Sequence, residues 1–346
     1  MAIPVQIRVQ AALSQVIYGL PKPLRRLIAG KPVRLDGQEL ALDAQLLLRL
    51  QQLSGAELSN GDVGESRTNL AAARHLVSGK PIGPMSTREL KIPGPGGDIP
   101  ATLYTPAGLA EPSGLLVYFH GGGWVIGDRD SHDNTTRFLA KHAGVRVLSV
   151  EYRLAPDHPW PAAPEDCVAA FDYAHAKASE LGADPARIAV GGDSAGGNLA
   201  AVVSQVTTRR GGPAPKFQLL FYPATDFSTR RRSREIFGIG FFLTDESMDW
   251  FSGHYQADET DPLASPLLAD DVSGLPPAYI ATAGFDPLRD EGEAYAKKLQ
   301  DAGVSVALSR QDDLIHGYVN FLGVGTRFRE AVSEAAGALR LGLSKE

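Results

Sequence analysis

The chain holds one cysteine, Cys167, and three methionines in 346 residues. A lone thiol can neither close an intramolecular disulfide nor build a structural zinc site, so stability must come from packing, and a reducing, cytoplasmic compartment is the expectation. Long apolar runs are missing as well. No stretch approaches the roughly eighteen uninterrupted apolar residues that a spanning helix needs, and Gln6, Arg8, Gln10 and Gln15 break up the first twenty. Neither a membrane span nor a secretory leader is therefore expected. Positive charge is scarce: the net charge is −6, and the one dense basic cluster is Arg230-Arg231-Arg232 with Arg234, read as a solvated loop. A nucleic-acid surface needs a broad basic patch, so that partner class is excluded. There is no H-E-x-x-H, the glycines from Gly121 to Gly127 lack dinucleotide spacing, and Gly191 to Gly196 is followed by Gly197-Asn198 where a phosphate loop needs Lys-Ser/Thr. No metal and no cofactor is expected.

What is present is the material of a large core, with 43% hydrophobic and 21% charged residues. Leucines at three- and four-residue steps predict an amphipathic helix over 39–53, and a second covers 65–77. Residues 1–82 precede any strand signal and are read as an N-terminal helical cap segment that packs on the body; the alternative is an amphipathic N-terminal helix touching lipid, because Arg8, Lys22, Arg25, Arg26 and Lys31 surround apolar positions. The period then changes to two. Residues 87–92 and 99–104 predict a hairpin about the turn-rich 93–98. From Leu115 the pattern is strand, loop, helix, repeated, which favours an α/β fold with a mostly parallel sheet flanked by helices. Strands are expected at 115–119, 145–150, 187–190, 217–222, 278–283 and 304–308. Helices are expected at 131–142, at 164–181 with Pro164 in the first position, at 198–206 and at 326–341. Residues 226–276 are too long for a plain loop and carry Phe237, Phe241, Phe242, Trp250, Phe251 and Tyr255. They are read as a second cap segment inserted into a catalytic domain spanning 83–346.

The chemistry centres on Gly192-Asp193-Ser194-Ala195-Gly196, which fits G-x-S-x-G between a predicted strand and a predicted helix. A serine hydroxyl is a poor nucleophile at neutral pH and needs a base, itself steadied by an acid. On this architecture the partners follow in the order acid, then histidine, on loops after later strands. Asp286 and His316 fit; Asp290 reads as a helix-start acid, and Asp312 and Asp313 stand too near His316. His132, His142, His158, His175 and His254 lack a matched partner and read as surface or capping residues. Attack on a carbonyl also needs N–H donors for the oxyanion, and His120-Gly121-Gly122-Gly123-Trp124 supplies backbone able to approach closely. Gly122, Gly123 and Ala195 are the expected donors. Trp124, Asn198, Phe241 and Phe242 are the expected substrate contacts.

These motifs, with Tyr152-Arg153-Leu154-Ala155-Pro156 and Asp286-Pro287-Leu288-Arg289-Asp290-Glu291-Gly292 ahead of His316-Gly317, resemble those of the hormone-sensitive-lipase-like α/β-hydrolase esterases. The resemblance runs from about residue 85 to the C-terminus. It implies an α/β-hydrolase fold with a helical cap, cofactor-free hydrolysis of short- to medium-chain acyl esters, the triad and donors above, and a possible homodimer. Asp157 and Trp160 depart from the commonest residues of the family without touching the triad. Two other readings use the same residues: amide or formamide hydrolysis, and small-molecule binding on an esterase fold.

Overall fold

Every side chain from Leu115 to Phe119 is buried, and alternate ones enter different layers: Leu115, Val117 and Phe119 on one face, Leu116 and Tyr118 on the other. A strand buried on both faces needs helices above and below it. The computed structural model, which describes residues 5–55, 59 and 61–345, meets that need with an eight-stranded sheet. Its strands are β1 (Met85–Gly94), β2 (Gly97–Pro106), β3 (Ser113–Phe119), β4 (Arg146–Val150), β5 (Ala183–Asp193), β6 (Phe217–Phe221), β7 (Ala278–Phe285) and β8 (Val306–Ile315). Across the sheet they run β8-β7-β6-β5-β3-β4-β2-β1. The β1–β2 and β2–β4 pairs are antiparallel, and the rest are parallel. Because β3 lies between β5 and β4, the loops after β3 and β5 open side by side at the carboxyl edge, where open α/β sheets place their sites.

Among the described residues, four helices precede the sheet: α1 (Val5–Gly19), α2 (Lys22–Ala29), α3 (Leu42–Ser54) and α4 (Val63–Val77). A small hairpin, Arg34–Leu35 against Gln38–Glu39, separates α2 from α3. Among the strands lie α5 (Asp133–Ala143), α6 (Ala162–Ala176), α7 (Ala195–Arg209), α8 (Arg232–Phe237), α9 (Asp245–Tyr255) and α10 (Arg289–Asp301), and α11 (Arg327–Gly342) follows the last strand. Helices α5 and α11 pack together over one face, and α6, α7 and α10 cover the other. Cys167 is buried on α6. Among the described residues, no helix is long and apolar enough to cross a membrane.

Several expectations need correction. Pro164 is the third residue of α6, not the first, and that helix ends at Ala176 rather than near 181. The strand expected at 187–190 is the middle of β5, whose earlier part was hidden by the breakers Asp184 and Pro185. The last strand runs to Ile315, well past 308, because β8 is a sheet edge and its polar stretch Arg310-Gln311-Asp312-Asp313 does not read as buried. The N-terminal apolar positions set among Arg8, Lys22, Arg25 and Arg26 form two helices, α1 and α2, with Lys31 just beyond them. The basic cluster is not simply a solvated loop. Arg230 pairs with Asp245, Arg231 with Asp226 at 2.7 Å, Arg232 with Asp36 at 2.8 Å, and Arg234 with Asp245 and Asp249.

Two polar ties fasten the N-terminal helices to the sheet domain. Asp43, buried in α3, accepts Arg25 at 2.5 Å with one oxygen. Its other oxygen accepts the backbone N–H groups of Thr326 and Arg327 at 2.9 and 3.3 Å, capping α11 from a distant part of the chain. On α4, Arg67 donates to the carbonyls of Val125 and Ala155, each at 2.9 Å, and pairs with Asp157. Replacing Asp43 by alanine strands a half-buried guanidinium and two helix-start N–H groups. Asp43→Ala is expected to cost roughly 1–3 kcal/mol in denaturant unfolding, whereas a tie of no energetic weight leaves the midpoint unchanged.

Candidate active site

The turn from β5 to α7 fixes Ser194. The residue has φ 57° and ψ −119°, a strained pair for a non-glycine residue, and its N–H donates to the carbonyl of Phe221 at 2.9 Å. The strand and helix meet so closely that side chains are excluded on either side. A Cβ on Gly192 would lie 2.3 Å from the Phe119 carbonyl oxygen, and one on Gly196 only 1.9 Å from the same atom. The small residues at both positions are thus a steric requirement.

The structure brings the three sequence-predicted residues together. His316 follows β8 and approaches the Ser194 Oγ with Nε2 at 2.9 Å, and Asp286 follows β7 and meets His316 Nδ1 with Oδ2 at 2.7 Å. Facing a carboxylate, Nδ1 carries the proton, so Nε2 is left to accept from the serine hydroxyl. The other Asp286 oxygen accepts the Leu288 N–H at 2.9 Å, which fixes the carboxylate plane. Tyr222, at φ 34°, lays its ring against the imidazole with centroids 4.5 Å apart. Asp290 instead accepts the Ser233 N–H and the Arg289 guanidinium, and Asp313 pairs with Arg327.

Gly122 and Gly123 take φ of 123° and 60° in the loop after β3. A Cβ on Gly122 would strike the Ile126 carbonyl and one on Gly123 the ring of Phe251, each at 2.2 Å. Within the described chain, the N–H groups of Gly122, Gly123 and Ala195 donate to no backbone carbonyl. Ala195 opens α7, where helix N–H groups lack internal partners. Gly122, Gly123, Ser194 and His316 line one cavity of about 1050 Å³. Its walls include Leu47 of α3, Leu70 and Leu76 of α4, and Met248 and Phe251 of α9, so both the N-terminal helices and the 226–276 segment border it.

Of the expected substrate contacts, Trp124 and Phe242 line this cavity. Trp124 is stacked on Tyr255 at 4.5 Å, which holds the indole still. Asn198 and Phe241 are placed elsewhere. Asn198 is fully buried, with its amide donating to the carbonyls of Ala224 and Ala264, and so it ties α7 to the segment after β6. Phe241 packs edge-on against Phe237 and tilted on Phe285, beneath the cavity wall.

His132 is another correction: it is buried, not a surface residue, and has a matched partner. Asp193, the residue before Ser194, accepts from Tyr118 Oη at 2.7 Å and from the Gly121 N–H at 3.0 Å, with His132 Nε2 at 3.2 Å. Burial alone would lower the His132 pKa, but the Asp193 carboxylate beside it raises it overall; the same pairing holds Asp193 below the usual carboxylate range despite its burial. This buried histidine–carboxylate contact joins the turn carrying Ser194 to the glycine loop. Its only sequence trace was a histidine just before a helix. Glu291 was also missed. Burial pushes its carboxyl up to about 8, although the N–H groups of Thr225 and Asp226 donate to it, and it borders the cavity.

Residues 116–320 match the α/β-hydrolase fold family, and the chain belongs to that family. Within it, the chain is a member of the hormone-sensitive-lipase-like esterases, in the carboxylic ester hydrolase class. It is 46% identical to the carboxylic ester hydrolase LipN of Mycobacterium tuberculosis, over 96% of this chain and 91% of that protein. It is 38% identical to the ethyl acetate hydrolase of Pseudomonas putida, over 78% and 86%. A thermostable esterase from Pseudomonas putida superposes with a TM-score of 0.85 at 35% identity, covering 89% of this chain and 98% of that one. The hyperthermophilic esterase of Pyrobaculum calidifontis superposes at 0.81 with 39% identity, over 86% and 97%.

The raised Glu291 carboxyl makes stability depend on pH. The folded state holds this proton up to about 8 and the unfolded chain releases it near 4.5, so the contribution of Glu291 is full below about 4.5 and declines as pH rises toward 8. Glu291→Gln is therefore expected to gain stability relative to the unsubstituted chain across that interval. Parallel unfolding curves at several pH values test this, and a constant difference refutes it.

Proposed function

We propose that the chain hydrolyses short- to medium-chain acyl esters through Ser194, His316 and Asp286 by way of an acyl-enzyme. The observation that carries the reading is the unbroken contact from Asp286 Oδ2 through His316 to Ser194 Oγ, at 2.7 and 2.9 Å, at the wall of a cavity also lined by Gly122 and Gly123. His316 Nε2 takes the hydroxyl proton as Oγ attacks the ester carbonyl. Negative charge gathers on the former carbonyl oxygen, and the amides of Gly122, Gly123 and Ala195 receive it. The C–O bond to the alcohol then breaks, with the proton passing from His316 to the leaving oxygen. Water, deprotonated by His316, attacks the acyl-serine, and collapse frees the acid and returns the proton to Ser194. Asp286 keeps the imidazole in the needed tautomer and balances its transient charge.

Residues 1–82 and 226–276 act as a two-part cap over residues 83–346. The bordering of the cavity by helices from both segments supports this, and a cavity of about 1050 Å³ has room for an ester substrate. The name of the Pseudomonas putida relative, ethyl acetate hydrolase, agrees with a short acyl group. Nothing in the geometry favours an amide over an ester.

Hydrolysis of p-nitrophenyl esters from acetate to palmitate tests the reading. Turnover is expected to peak at short chains and to vanish in Ser194→Ala. Gly123→Pro removes one amide donor; because proline cannot hold a φ of 60° and its Cβ meets the Phe251 ring, the glycine loop must also repack, and kcat is expected to fall by at least the order of 10² to 10³-fold that one oxyanion donor supplies. Full activity in either variant removes that residue from its role, and a peak at palmitate overturns the substrate class.

A further inference from the structure

The N-terminal segment has a charge and an exposure unlike the rest of the chain. Before Asp36 there is no acidic residue, whereas Arg8, Lys22, Arg25, Arg26, Lys31 and Arg34 are all basic. Six positive charges stand there against a whole-chain net of −6, which leaves −12 for the remainder. Arg25 is used internally by Asp43, Arg26 by Gln45 and Arg34 by Glu39. Arg8, Lys22 and Lys31 are exposed and make no ion pair among the described residues.

Apolar exposure is concentrated in the same place. Among the described residues, seven of the ten exposed large hydrophobic side chains fall at or before residue 53. Val9, Leu13 and Val16 are 62%, 57% and 63% exposed and recur at the four- and three-residue steps of one helical face of α1, and Leu24 and Leu27 project from α2. Leu13 and a neighbouring stripe of α1, Ile7, Ser14 and Ile17, line the cavity that holds Ser194. The apolar face thus adjoins a wall of the site.

We infer that α1 and α2 form an interfacial docking surface for an anionic lipid bilayer, lying in its headgroup layer without crossing it. Apolar side chains on a helical face with basic residues and no acids around them are what such a surface binds. The remainder of the chain, at −12, is repelled by the same surface, so the body stays clear and only this face approaches. A second copy of the chain fits less well, because a two-fold contact would set uncompensated lysines and arginines of one copy against those of the other.

Vesicle flotation of the intact chain decides it. Partition onto phosphatidylcholine vesicles carrying about one-third phosphatidylglycerol is expected to exceed partition onto phosphatidylcholine alone by roughly tenfold. Two double variants, V9E with V16E and K22E with K31E, are expected to lose that excess, with turnover of soluble p-nitrophenyl butyrate within about twofold of the unsubstituted chain. Equal partition onto both vesicle types overturns the inference, as does unaltered binding by both variants. Light scattering that finds a dimer, dissociated by V9E with V16E, assigns the face to a second copy and overturns it too. The partition measurement uses no turnover, so the docking surface stands or falls apart from the proposed esterase activity.

Discussion

The site rests on a steric constraint: β5 and α7 pass within contact of the Phe119 carbonyl, so closely that a single methyl group on Gly192 or Gly196 cannot be accommodated. That approach holds Ser194 at a positive φ and presents its side chain at the carboxyl edge of the sheet. The cost, on the order of 1–3 kcal/mol for one strained residue, is borne by the surrounding core. The order of the strands then puts the glycine loop after β3 beside this turn, and the loops after β7 and β8 deliver Asp286 and His316 to it.

A second constraint is electrostatic. Asp193 stands within the fold one residue from Ser194, and a buried carboxylate is tolerable only when fully partnered. Tyr118, the Gly121 N–H and His132 supply the partners, from β3, the glycine loop and the residue preceding α5. The loop bearing the proposed oxyanion donors is therefore registered on the turn bearing the proposed nucleophile through one shared carboxylate, and removing Asp193 would leave His132 buried without its counter-charge.

Much of this was legible in the sequence because it lies at strand ends. Short apolar strands of β-branched and leucine residues marked β3, β4, β6 and β7, and Ser194, Asp286 and His316 each follow a strand in the order the architecture demands. Interactions made across the fold left no such mark. Asn198 stands near Ser194 in sequence, yet its amide is consumed by two distant carbonyls. Phe241 and Phe242 are adjacent, and which of them borders the cavity depends on how the segment after β6 packs against Phe285. His132 and Glu291 acquire their character from burial and from partners 61 and 66 residues away. The edge strand β8 was cut short because an exposed edge tolerates a polar run that a central strand does not.

The capping of α11 by Asp43 and the clasp of Arg67 on the carbonyls of Val125 and Ala155 bear on how the cavity admits its ligand. Helix α3 is held to the sheet domain by the buried Asp43 carboxylate, and α4 by the partly buried Arg67 guanidinium on two backbone carbonyls. Helix α1 is fastened more lightly, by Gln15 to the Gly323 carbonyl and Tyr18 to the Asp43 carbonyl. On the proposed two-part cap, α3 and α4 are the firmly held frame and α1 the lightly held leaf. The free energy of swinging that leaf is local, and a sequence on this plan can retune how fast bulky molecules pass without altering the melting temperature of the whole.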